Sequence, residues 1–244
     1  MIFIRGKFRW RLVILSALML VGGLEFQGVG ASTSKQEVSQ AEGWRNESAV
    51  LQYLLPVLKK YGMAGRIYYT TSCHADKGYP NSFPKMNVQP PLKDATGLAA
   101  VMHMFRSEKH IKVTESPVGI IRVRVGRVPD AVLQTKISSI TLSSMEQYNP
   151  SMAISALENS EDVHVTMNKL GIHVASRVTN LGIVLPARGL PRLPGSLSNV
   201  TMDQSLDLIA RVFGGVVIYG DCTKSRTFFV DFVGGMRPDD SGSR

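Results

Sequence analysis

The 244-residue chain predicts an α+β fold: two small βαββ-type modules with short antiparallel or mixed sheets, joined by a helical-hairpin insert. Three observations lead there. In Met202 to Phe213 the apolar residues Met202, Leu206, Ile209 and Phe213 recur at helical spacing, which makes one face of a helix that must pack on something. Two apolar runs follow, Val216 to Tyr219 and Thr227 to Val233, split by a polar stretch that reads as the loop of a hairpin. The same order recurs at Asp94 to Gly126: Leu98, Val101, Met102 and Phe105 form the helical face, and Ile111 to Val113 and Ile121 to Val125 form the strands. Leu98 to Phe105 and Leu206 to Phe213 both span seven residues, and Phe105 to Gly126 and Phe213 to Gly234 both span twenty-one. A fainter third copy runs from Leu54 to Tyr61 into strands at Arg66 to Thr70 and Phe83 to Val88, with Pro56 interrupting its helix.

The chain opens like a secretory leader. Arg5, Lys7, Arg9 and Arg11 precede an apolar run from Leu12 to Leu24, and Val29-Gly30-Ala31 is a small-residue cleavage site, so residues 1–31 read as a signal peptide. The apolar run falls short of the roughly 20 residues a membrane-spanning helix needs. Cleavage lowers the formal charge from +9 to +6, because Lys and Arg fall from 28 to 24 and Asp and Glu from 19 to 18. The remaining basic residues are scattered and lack the aromatic interleaving of a nucleic-acid platform, so nucleic acid is not an expected partner.

Residues 32–46 are polar and aperiodic, a flexible leader by composition. The N-terminal module covers 47–128. It starts with a helix carrying Val50, Leu51, Leu54, Leu55, Leu58 and Tyr61, stopped by Gly62. Over 129–185 lies the insert. Pro129 to Gln134 makes one helical turn, and Ile137 to Leu142 a short strand. Asn149-Pro150 opens a helix bearing Ile154 and Leu157, and Ser160 caps a second bearing Val163, Met167 and Leu170, ended by Gly171. Ile172 to Val178 and Ile183 to Leu185 read as strands. Residues 186–195 hold three Pro and two Gly and read as a linker, 196–234 form the C-terminal module, and 235–244 are a disordered tail. In the C-terminal helix Thr201 and Gln204 make a capping box and Gly214-Gly215 the left-handed stop.

Cys73 and Cys222 are the only thiols, and each follows a strand with Tyr near its end. In an oxidising compartment such a pair is most simply a disulfide, contributing about 3–5 kcal/mol by closing a long loop. A redox or metal pair would call for CxxC spacing, which is lacking.

No catalytic signature is present: no G-x-S-x-G, HExxH, P-loop or GxGxxG. No cofactor or metal site is expected. His103 and His110 lie seven apart, and His164 and His173 have no ligand-type residue at metal spacing beside them. Asp203 and Asp207 share a helix face at i, i+4, where Asp203 is a first-turn charge favoured by the helix dipole. Arg122 and Arg124 alternate with apolar residues along a strand and read either as solvating an open face or as the contact for an acidic, extended partner segment.

The segment Leu197 to Ala210, with its Gly pair, strand and hairpin, resembles the short N-terminal domain of secretins and TonB-dependent receptors over about 197–234, and 87–126 resembles it more loosely. That resemblance implies periplasmic location, protein–protein contacts in outer-membrane assemblies and no catalytic residues. The expectation is an exported, non-enzymatic binding or assembly module of the cell envelope with a protein partner. The alternative is a secreted or periplasmic hydrolase whose active-site residues come together only in three dimensions.

Overall fold

A computed structural model describes residues 30–71, 83–92, 94–175 and 189–234, with side chains from Arg45 onward. Its helices are α1 (Gly30–Lys60), α2 (Gly97–Met104), α3 (Ser144–Tyr148), α4 (Pro150–Glu158), α5 (Glu161–Leu170) and α6 (Met202–Phe213). Its strands are β1 (Ala64–Thr71), β2 (Ile111–Glu115), β3 (Ile120–Val125), β4 (Lys136–Thr141), β5 (His173–Val174), β6 (Ser196–Thr201), β7 (Val216–Cys222) and β8 (Thr227–Val233). The fold is α+β with mixed sheets, as expected.

The strands of the two αββ copies share one sheet of six strands, ordered β2-β3-β1-β7-β8-β5, beside a separate β4-β6 pair. β1 is its centre. β3 and β7 run parallel to it on either side, while β2 and β8 fold back antiparallel as the outer arms of the two hairpins. The faint third copy therefore supplies the strand on which the other two meet. Its expected second strand does not form: 83–92 lie in no ladder, since Pro84, Pro90 and Pro91 carry no N–H to donate.

β1 is buried over six consecutive residues because both faces are covered. Ile67 and Tyr69 point to a cluster with Leu54, Leu58, Val101 and Met104 of α1 and α2. Tyr68 points the other way, into a cluster with Leu206, Ile209, Leu157 and Val163 of α6, α4 and α5. The result is helices on both sides of a shared sheet.

Several local expectations hold. In α6 the Thr201 hydroxyl accepts from the Gln204 N–H at 3.1 Å, the Gln204 side chain accepts from the Thr201 N–H at 2.8 Å, and Gly214 ends the helix at φ 67°. Asn149 caps α4 through the Ser151 and Met152 N–H groups, with Pro150 in the first turn, and Gly171 closes α5 at φ 61°.

Others are corrected. Residues 32–46 are part of α1 and not a flexible leader: the helix nucleated further on extends back through Lys, Gln, Glu and Ala, and propagation through good helix formers costs little. Pro56 sits inside α1 without ending it. In α2 Met104 is buried and Met102 is 53% exposed, because the inward face runs through Ala100, Val101 and Met104. Ser160 makes no side-chain cap; its hydroxyl donates to the Leu157 carbonyl instead. The segment expected as a linker is packed where it is described: Leu193 is buried and its N–H bonds the Gln147 carbonyl, while Gly195 accepts from Leu142. β4 of the insert pairs with β6 beyond that segment, so insert and C-terminal unit form one body of structure. Residues 1–29, the Ile183 to Leu185 strand and the 235–244 tail lie outside the described residues.

Candidate functional site

The densest polar grouping lies under α6, where strand alternation places charged side chains on the face the helix must cover. In the parallel register Arg66 of β1 stands beside Arg122 of β3, and Tyr68 beside Arg124. Side by side, two guanidiniums repel. Asp203 and Asp207, one turn apart on α6, descend between them. Arg66 Nη1 donates to Asp203 Oδ1 at 2.7 Å, to the Asp203 carbonyl at 2.7 Å and to Asp207 Oδ1 at 3.1 Å. Arg122 Nη2 reaches Asp203 Oδ2 at 3.1 Å and bonds Asp207 Oδ2. Tyr68 donates its hydroxyl to Asp203 Oδ1 at 3.0 Å. Two cations and two anions balance.

Burial sets the character of this cluster. Arg66 is fully buried, and its guanidinium lies 4.5 Å from the Tyr68 ring centre, with Arg124 at 4.8 Å from the same ring. Arg66 Nε and Nη2 and Arg122 Nε have no hydrogen-bond partner among the described residues. Burial pushes the Tyr68 hydroxyl well above its ordinary range. For Arg122 burial acts downward, but Tyr68, the bond to Asp207 and the Asp203 carboxylate together raise it above its usual value. Chemically the cluster is closed. Both carboxylates are committed to guanidiniums, and no Ser, Cys or His takes part in these bonds.

Arg122 and Arg124 are therefore not a free basic face. Their side chains are 27% and 32% exposed, and Arg124 pairs with Asp130 at 2.8 Å. Nor is β3 an edge, since β1 and β2 flank it. The packing of α6 turns Arg122 inward onto Asp203 and Asp207, while Arg124 stays part-exposed beside Asp130. Asp203 goes beyond a dipole charge, and the i, i+4 spacing with Asp207 was the available signal. Arg66 gave none, because alternation in Arg66-Ile67-Tyr68-Tyr69 does not say which face a distant helix will cover.

Cys222 is fully buried at the end of β7, opposite Thr71 of β1, while Cys73 lies outside the described residues. His110 leads into β2 with Nδ1 3.4 Å from Glu108 Oε2. Among the described residues no three His, Cys, Asp or Glu gather as a metal site, and no helix is long and apolar enough to cross a membrane.

Two further acids stand apart. Asp221 on β7 is buried, its Oδ2 has no partner among the described residues, and desolvation raises it above the usual carboxylate range. Burial pushes Glu47 of α1 up to about 7, with Asp231 of β8 adding to the effect. Burial, and then the same two carboxylates, hold the Tyr69 hydroxyl well above its ordinary value.

No known protein family, curated protein or solved structure matches this chain.

Proposed function

We propose that this chain is an exported, non-enzymatic binding or assembly module of the cell envelope that engages a protein partner. In this reading the leader is cleaved after Ala31, and Cys73 and Cys222 form a disulfide that joins the ends of β1 and β7. The observation that carries the binding role is the sheet's edge: β2 has a strand on one side alone among the described residues, while the densest charge grouping is consumed inside the molecule. A free edge offers backbone hydrogen bonds that an extended segment can complete. The register supports the bridge, since Thr71 and Cys222 are paired and Cys73 follows two residues later. The order of strand, capped helix, strand and strand over 196–233 supports kinship with the short N-terminal domain of secretins and TonB-dependent receptors, although β6 pairs with β4 and not with the main sheet.

The alternative hydrolase reading has one residue in its favour, Asp221, a buried carboxylate of raised pKa at the C-terminal end of a parallel strand. Recovery of the tagged chain from an envelope fraction after mild crosslinking separates the two. A stoichiometric protein partner is the expected outcome. A chain recovered alone, with an ester, peptide or glycoside hydrolysis that Asp221→Asn removes, would establish the hydrolase instead.

A further inference from the structure

Hydrogen bonding along β2 fixes which backbone groups its free edge presents. The Gly126 N–H bonds the His110 carbonyl and the Ser116 N–H bonds the Ile120 carbonyl, both at 2.9 Å. In an antiparallel ladder the bonded residues alternate, so His110, Lys112, Thr114 and Ser116 point their backbone groups at β3. The N–H and C=O of Val113 and Glu115, with the C=O of Ile111, therefore face outward. The Ile111 N–H is taken by the Glu108 carbonyl at 3.0 Å. Five backbone groups in a row thus stand ready for a further strand.

The side chains give this edge two unlike faces. Ile111 and Val113 pack, half-buried, against the apolar cluster beneath α1 and α2. Lys112 and Thr114 stand on the opposite face and are exposed, in register with Arg124 and Arg122. Arg122 and Arg124 already have carboxylate partners, but Lys112 has none among the described residues. An added strand would run its own alternating side chains along these two faces. On one face they meet a lysine in register with a paired arginine, on the other two branched aliphatic residues followed by the exposed Glu115 at the strand's end.

We propose that the β2 edge is the partner site and that its occupant is an extended protein segment alternating acidic with β-branched apolar residues, the acids placed beside Lys112. This deepens the binding reading above and rests on it. A second copy of the chain fits less well. Two-fold pairing centred on Val113 would set Ile111 against Glu115 and Lys112 against Thr114, which leaves the lysine without a counter-charge.

The test uses the full chain, isotope-labelled for amide resonances, and two synthetic nine-residue peptides, one alternating valine with glutamate and one alternating valine with lysine. The glutamate peptide is expected to shift the Val113 and Glu115 amides, and the lysine peptide to leave them in place. Val113→Pro removes an outward donor that the fold does not use, so it should weaken the glutamate peptide about fivefold to tenfold with an unchanged circular dichroism spectrum. Lys112→Glu, a change at an exposed position, keeps the test valid if the proline variant misfolds. It should lose the glutamate peptide and gain the lysine one. Failure of the glutamate peptide to bind, binding elsewhere, equal affinity for Lys112→Glu, or a concentration-dependent dimer in sedimentation that Lys112→Glu leaves intact would each overturn the proposal. If envelope crosslinking still recovers a partner with the Lys112→Glu chain, the edge is wrong and the binding reading stands; if wild type recovers none, the binding reading itself has failed.

Discussion

Asp207→Ala probes the buried cluster most sharply, because it changes a neutral group of four charges into one with an excess positive charge. Asp207 accepts from both Arg66 and Arg122, and its side chain is only 8% exposed. Its loss leaves two guanidiniums sharing Asp203, one of them fully buried. Removing one partner of a buried pair costs about 3–5 kcal/mol. Arg122 retains access to water, which places this case near the low end, about 3 kcal/mol. For a chain of this size, with m about 2–3 kcal/mol/M, the urea midpoint should fall by about 1 M with m unchanged. The double change Arg122→Met with Asp207→Leu removes one charge of each sign and leaves Arg66 paired with Asp203. It should cost about 1 kcal/mol, less than the single change. Circular dichroism during urea titration reads all three proteins. A midpoint for Asp207→Ala within about 0.3 M of wild type, or a double variant less stable than the single one, would refute the reasoning.

The remaining predictions concern pH, packing and the thiols. Glu47 is held at about 7 in the folded chain against 4.5 for its ordinary value, so folding favours its protonated form, and stability should decline as pH rises from about 4.5 through 7. Solvent at this partly buried site reduces the loss to on the order of 1–2 kcal/mol, and melting curves at pH 5 and 8 should show it in wild type but not in Glu47→Gln. Gly220→Ala would place a Cβ about 2.0 Å from the Phe229 ring, which packs edge-on to Tyr69. That overpacking should cost about 1–3 kcal/mol by thermal melting, and an unchanged melting temperature would count against the tight β7–β8 packing. Non-reducing peptide mapping of protein taken from its native compartment should yield one crosslinked peptide joining Cys73 to Cys222, whereas two freely alkylated thiols would remove the bridge.

What was legible in the sequence is what local chemistry decides. The Thr201 and Gln204 cap, the Gly214 and Gly171 stops and the Asn149-Pro150 start each act within a few residues, and the structure places each where the pattern put it. The short α3 carries a signal of the same kind, Ser143 with Glu146 three residues on. Sheet order is different in kind. That β3 and β7 both dock on β1 depends on pairings more than fifty residues apart in the chain, which periodicity does not encode. The charged cluster followed from that same docking. Arg122 and Arg124 alternate correctly for a strand, yet only the position of α6 decides that Asp203 and Asp207 answer Arg122, while Arg124 is met by Asp130. Nothing near Arg66 in the sequence marks it as the most deeply buried cation among the described residues.

The binding role in the envelope stands on export, so the most direct measurement is amino-terminal sequencing of the chain recovered from fractionated cells. The account predicts that the protein is found in the envelope or secreted fraction and that its sequence begins at Ser32. An intact Met1 on protein confined to the cytosol would contradict it.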